Sequence, residues 1–252
     1  MMRPAPSILA MLALIVPADA QTDEIQVYDA AIAKTGTFNL TWHNNYTFSG
    51  AGTAAFPHAI VPDHALNGVA EWAYGATSWF ELGLYLPLYS IANSGAVRFN
   101  GTKLRALFVV PDAEARTFFY GVNFEFSYNE AGWDPRRFTS EIRPIIGWHL
   151  GRWDLVFNPI LDNSYEGFSR LDFAPATRIA YRMADKLVIA VEEYADLGPL
   201  KNFYSGGKQS HQLFAVVDYN GTPVSVEVGL GFGLSSASDN LVAKLILSKD
   251  LN

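Results

Sequence analysis

The stretch Thr117 to Asn129, TFFYGVNFEFSYN, alternates without a fault. Phe118, Tyr120, Val122, Phe124, Phe126 and Tyr128 fall on one side. Phe119, Gly121, Asn123, Glu125 and Ser127 fall on the other. A period of two is the period of a strand, not of a helix. One face is apolar with aromatics at both ends of the row, and the other carries a carboxylate, an amide and small groups. A strand lying between lipid and a polar lumen needs that division.

The pattern recurs along the chain. Alternating segments are read at 36–48, 64–75, 79–89, 98–110, 117–129, 139–150, 153–161, 170–183, 186–195, 208–219, 222–233 and 239–249. Asn44 is the one polar residue on the apolar face of the first. Connections after the even-numbered segments are tight, Asn220-Gly221 being the strongest hairpin signal. Those after segments one, three, five, seven and nine are longer. Short turns at one end and long loops at the other are the habit of bacterial outer-membrane barrels. Lipid offers no partner to a free strand edge, so a sheet within it must close. The expected fold is therefore all-β: a closed antiparallel transmembrane β-barrel of about 12 strands, with short periplasmic turns and longer extracellular loops. Its rival is a soluble exported β-sandwich, which would bury the same apolar faces in a core.

Composition agrees with the barrel. Charged residues make up only 17% of the 252 and aromatics 14%, against about 25% charged in a typical soluble domain. The net charge of −7 argues against a nucleic-acid partner. With no cysteine there is neither a disulfide framework nor a thiolate metal site. Residues 1–20 read as a secretory signal: Arg3, an apolar run from Ile8 to Val16, and Ala18-Asp19-Ala20 before a mature Gln21. Beyond it no apolar run approaches the roughly 18 residues of a helical span. Residues 21–35 read as a periplasmic lead or an extra strand edge, and 36–252 as the barrel.

By parity, Lys103, Arg105, Glu125, Glu141, Arg143, Arg178, Arg182, Glu192, Asp218, Glu227 and Lys244 face inward, with Glu71 and Glu81 beside them. Opposite charges facing each other across neighbouring strands pair favourably. Such an interior is either a salt-bridged scaffold or a channel wall that selects solutes by charge. The functional expectation is passive passage of small solutes through an outer-membrane, porin-like channel, not an enzyme. The alternatives are a structural or lipid-interacting barrel without transport, and an outer-membrane hydrolase. For the last, Ser210 and His211 are adjacent and so oppose each other in a strand. His43, His58, His64 and His149 supply no metal-ligand spacing. No cofactor is expected. The expected partners are outer-membrane lipid and lipopolysaccharide, the barrel-assembly machinery and small solutes.

The stretches HALNGVAEWAYGATSWFELGLYLPLY (64–89), KLRALFVVP (103–111), FFYGVNFEFSY (118–128) and FTSEIRPIIGWHLGRWDLVFNPILD (138–162) carry a family likeness. The chain resembles uncharacterised outer-membrane barrels of proteobacteria, most nearly the outer-membrane transport proteins of aromatic-degradation (meta-pathway) type. The resemblance implies a Gram-negative outer-membrane location and brings no catalytic residues. The chain ends Ser248-Lys249-Asp250-Leu251-Asn252 instead of on the aromatic common in that group, with Leu247 and Leu251 as the apolar residues nearest the end.

Overall fold

The computed structural model describes residues 22–252, so the signal read at 1–20 lies outside the described residues. Fourteen strands are found among them: β1 Phe38–Ser49, β2 Leu66–Gly75, β3 Phe80–Ile91, β4 Val97–Val109, β5 Phe118–Asn129, β6 Phe138–Leu150, β7 Trp153–Asn158, β8 Leu161–Asn163, β9 Asp172–Phe173, β10 Ala176–Ala184, β11 Leu187–Asp196, β12 Ser210–Tyr219, β13 Ser225–Gly233 and β14 Leu241–Asp250. They make twelve staves. β7 and β8 both pair with β6 and form one stave, interrupted where Pro159 lacks an N–H. β9 and β10 form the next, with Pro175 at their break.

All pairings are antiparallel, and β14 pairs with β1, which closes the ring. Leu245 lies opposite Asn44, and Leu40 opposite Lys249. A closed antiparallel barrel has no free edge. The tight-turn end carries the connections at 76–79, 110–117, 151–152, 185–186 and 220–224. Two of these are wider than expected. Residues 110–117 include a 3-10 turn over Ala113–Ala115, held where Arg116 Nε donates to the Pro111 carbonyl at 2.7 Å. Pro223 widens the Asn220-Gly221 turn. The long-loop end carries 50–65, 130–137 and 197–209 among others.

The two faces separate as alternation predicts. Phe118, Tyr120, Phe124 and Phe126 are exposed, while Phe119, Asn123, Glu125 and Ser127 are buried. The outward aromatics gather near the strand ends: Phe118 packs on Trp148 and Trp153 on Tyr181 at one end, and Tyr128 on Phe138 at the other. Amphipathic rings favour such levels in a bilayer.

Inside, bulky inward residues lie over glycines directly across the sheet. Phe119 faces Gly147, Phe214 faces Gly231, Arg105 faces Gly83 and Lys244 faces Gly229. A Cβ on Gly231 would come within 2.3 Å of the Phe214 ring. These glycines let large side chains lie flat against the wall and fill a narrow lumen.

One expected parity is reversed. Strict alternation along 79–89 puts Leu88 outward with Phe80, Leu82, Leu84 and Leu86, and Tyr89 inward, yet Leu88 is fully buried. The register of β3 against β4 shifts on both sides of Leu88, next to Pro87. A bulge turns the strand over locally. Tyr89 thereby reaches the outer surface and donates to Asn44 Oδ1, which accounts for the polar residue on that face.

Candidate channel lumen

Two charged networks line opposite walls. On β1–β6, Arg105 bonds Glu71 at 2.6 Å and also Glu81. His43 Nε2 sits 3.2 Å from the same Glu71. Lys103 lies 3.6 Å from Glu125, and Arg143 grips Glu141 through two nitrogens at 2.7 and 3.1 Å. On β10–β14, Arg178 pairs with Glu192 and Asp218, while Lys244 reaches Glu192 and Glu227, each at 2.5 Å. Ten of the eleven residues singled out by parity thus join these networks. Arg182 stands apart: half-exposed at the tight-turn end, it lies 3.7 Å from Asp154. Buried pairs cost desolvation that their attraction only partly offsets, so they enforce geometry more than they stabilise.

The lumen is not polar throughout. Leu107, Val109, Phe119, Ile145 and Val156 form a buried apolar cluster on the inner wall, and Val188, Ala190, Phe214, Val216 and Val242 form another. Sequence reasoning missed this layer because strands such as LVIAV are apolar on both faces, so parity gives no contrast there.

The larger departure concerns the N-terminal lead. From Thr22 the segment runs inside the barrel, not beside it. Ile25, Val27, Tyr28 and Ala30 are buried in the two apolar clusters. Asp23 pairs with Lys103 at 2.8 Å, and Arg143 Nη1 donates to the Gln26 carbonyl at 3.0 Å. Asn158 clamps the backbone of Tyr28 through both its amide atoms, at 2.7 and 2.9 Å. The Tyr28 ring lies 4.4 Å from the Arg143 guanidinium and 5.5 Å from that of Arg105, both within cation–π range. Its hydroxyl meets that of Tyr85 at 2.6 Å. The physical reason is that a narrow barrel with apolar inner layers must be filled. The available signal was faint: Ile25 and Val27 alternate, with Asp23 and Glu24 matching cations within the wall.

From the long-loop end, Trp133 descends from 130–137 and packs with Val69, Tyr85 and Leu88. Trp133, Tyr85 and Tyr28 therefore follow one another down the lumen. Toward the tight-turn end the segment leaves a cavity of about 690 Å³ against β1–β4, bordered by Tyr28, Glu71, Glu81 and Arg105.

The histidines are engaged separately. His149 Nδ1 lies 2.6 Å from Asp154, His211 Nδ1 2.9 Å from Glu193, and His64 Nδ1 2.8 Å from Asp63. Ser210 Oγ meets Ser238 Oγ at 3.1 Å.

No family model matches the chain, and no curated protein matches it. Among solved structures, an outer membrane channel from Pseudomonas putida F1 superposes with a TM-score of 0.59 at 14% identity, covering 90% of this chain and 100% of that one. The KdgM porin superposes with a TM-score of 0.55 at 9% identity, covering 85% and 99%. The same porin in complex with disordered oligogalacturonate gives 0.54 at 10%, with the same coverage. The chain has the fold of an outer-membrane β-barrel. Within that fold, the features described above belong to this barrel's own side chains: two charged walls, apolar inner layers, and a lumen occupied by residues 22–35.

Proposed function

We propose that this protein is an outer-membrane channel for small polar or amphipathic solutes, closed in this state by its own N-terminal segment. The observation that carries the reading is the seating of Tyr28 between Arg105 and Arg143, in a barrel whose fold is that of outer-membrane channels. The segment is held by side-chain contacts and a few backbone bonds to side chains, not by a strand ladder. It can leave without breaking the sheet. In this reading the tight-turn end is periplasmic, the long loops are external, and the protein is not an enzyme. The tie to aromatic-degradation pathways rests on the sequence stretches quoted above. It would make aromatic compounds the first solutes to try.

The filled lumen favours one second reading, a structural barrel without transport. Planar-bilayer recording separates the two. The intact protein should conduct rarely. Asp23→Lys with Glu24→Lys sets like charges against Lys103 and Arg143 and should raise the open fraction several-fold. Silence in both, with heat-modifiable migration verifying the fold, would leave the structural barrel ahead. Equal conductance in both would remove the segment from its role as a plug.

A further inference from the structure

On the outward faces of β2–β6 large side chains predominate, with small ones between them such as Gly68 and Ala70 at one end of the sheet. Ala106 on β4 and Ser140 on β6 are likewise small. Register places Trp72, Leu84, Leu104, Phe126 and Ser140 in one row across the sheet, and Leu82, Ala106, Phe124 and Ile142 in the next. Around Ala106 and Ser140 the surface sinks into an apolar groove of about 650 Å³, walled by Trp72, Leu84, Phe124 and Phe126. That volume is in the range of ordinary ligand pockets. Tyr165, from the loop after β8, borders the groove at its long-loop end. That loop is fixed where the Tyr165 N–H donates to Asn163 Oδ1 at 2.9 Å and where Glu166 lies 3.5 Å from Arg136.

A cation stands over the same column of the sheet. Arg137 precedes Phe138, which pairs with Tyr128, while Ser140 pairs with Phe126. At about 3.3 Å per residue, Arg137 is therefore roughly 10 Å above the groove floor. Its guanidinium lies over the outward Tyr128 ring at 5.6 Å. Among the described residues no carboxylate pairs with it, whereas its neighbour Arg136 is matched by Asp134 and Glu166. An apolar slot with an unmatched guanidinium at its upper rim is complementary to an amphiphile with an acyl chain and a phosphate headgroup.

We infer that this groove is a specific site for a phosphorylated, acylated glycolipid of the outer leaflet, of the lipid A kind. One acyl chain lies over Ala106 and Ser140, and a phosphate meets Arg137. The leaflet assignment rests on the orientation given under the proposed function; the groove and its cation do not depend on conduction. Ordinary bilayer contact needs neither a recessed floor nor a loop bordering it.

The test is native mass spectrometry of the detergent-purified full-length protein, titrated with purified lipid A and separately with phosphatidylglycerol. One lipid A molecule should be retained through detergent removal. Ala106→Phe fills the groove and Arg137→Glu reverses its cation, and each should lower retention at least ten-fold. Ala243→Phe, on the outer face of distant β14, should change nothing. If Ala106→Phe does not fold, Ser140→Phe fills the same space from the neighbouring strand. Retention indifferent to groove filling and charge reversal overturns the site. Equal retention of phosphatidylglycerol overturns the glycolipid assignment. Bilayer conductance of the same variants is read in parallel, so that loss of lipid with conduction intact separates this site from the channel reading.

Discussion

The Tyr89 hydroxyl donates to Asn44 Oδ1 at 2.7 Å on the outer surface of the barrel, and the Trp42 indole N–H donates to the same hydroxyl at 2.9 Å. Three polar groups on a lipid-facing wall satisfy one another because the β3 bulge turns Tyr89 outward. Gly68 gives the phenol its space, since a Cβ there would lie 2.6 Å from the hydroxyl oxygen.

Tyr89→Phe should accordingly destabilise the barrel by about 1–3 kcal/mol, the cost of leaving a polar group unpaired where only lipid faces it. Adding Asn44→Leu should recover part of the loss, because it removes the orphaned amide. Urea unfolding from liposomes across the four members of the double-mutant cycle measures the coupling. Additive effects would mean that the bond contributes nothing.

Lys244 and Arg182 are both inward by parity, and they should behave oppositely. Lys244 is fully buried between Glu192 and Glu227. Lys244→Met leaves Glu192 to Arg178 alone and takes from Glu227 its cation at 2.5 Å, the next being Arg178 at 3.9 Å, and should cost about 3–5 kcal/mol. Arg182 is half-exposed, and Arg182→Met should cost under about 1 kcal/mol. The same unfolding assay distinguishes them.

Gly231→Ala should destabilise by about 1–3 kcal/mol through overpacking against Phe214. Phe214→Leu in the same chain should relieve the clash, and a thermal melt followed by the loss of heat-modifiable mobility reads the recovery. If Gly231→Ala is neutral, the ring moves freely and the lumen is looser than described.

Acid should release the long loop at 50–65. Asp63 accepts from the Gly50 N–H at 3.1 Å and faces His64, and these two bonds hold its carboxyl below the ordinary value. A lowered folded value means that the contribution is fully present above the ordinary carboxylate value of about 3.9 and fades as pH falls through the lowered one. Amide exchange in residues 50–65, corrected for its intrinsic pH dependence, should accelerate in that window. Asp63→Asn should show part of the same loosening at neutral pH.

The barrel was legible because lipid leaves a strand one choice per residue. Phe118 to Tyr128 must face out together, and one slipped residue would send Glu125 into hydrocarbon. The charged wall followed from the same parity. Parity says nothing, however, about depth or filling. It placed Arg182 with Lys244, although one lies at the rim and the other in the interior. It placed Asn123 on the inward face without saying how tightly that face packs; Asn123 is fully buried, so an arginine there would meet a packed lumen. The Tyr89 reversal follows from a local bulge that alternation cannot anticipate. The internal segment was missed because no ladder marks it: its contacts are to residues far away in sequence, such as Tyr28 with Asn158.

Residues 22–35 carry three carboxylates, Asp23, Glu24 and Asp29, against one ammonium, Lys34. Their tether lies at the tight-turn end, where the Gly36 N–H donates to the Gly75 carbonyl at 2.7 Å. One elementary charge crossing a membrane exchanges about 2.3 kcal/mol per 100 mV with the field, and the side chains of this segment would carry a net two negative charges over part of that path, offset in part by the α-ammonium of a mature Gln21. A potential positive on the tether side would draw it out of the lumen, and the opposite polarity would press it home. A channel plugged in this way would rectify, and the polarity at which current grows would report which way the barrel sits in the bilayer.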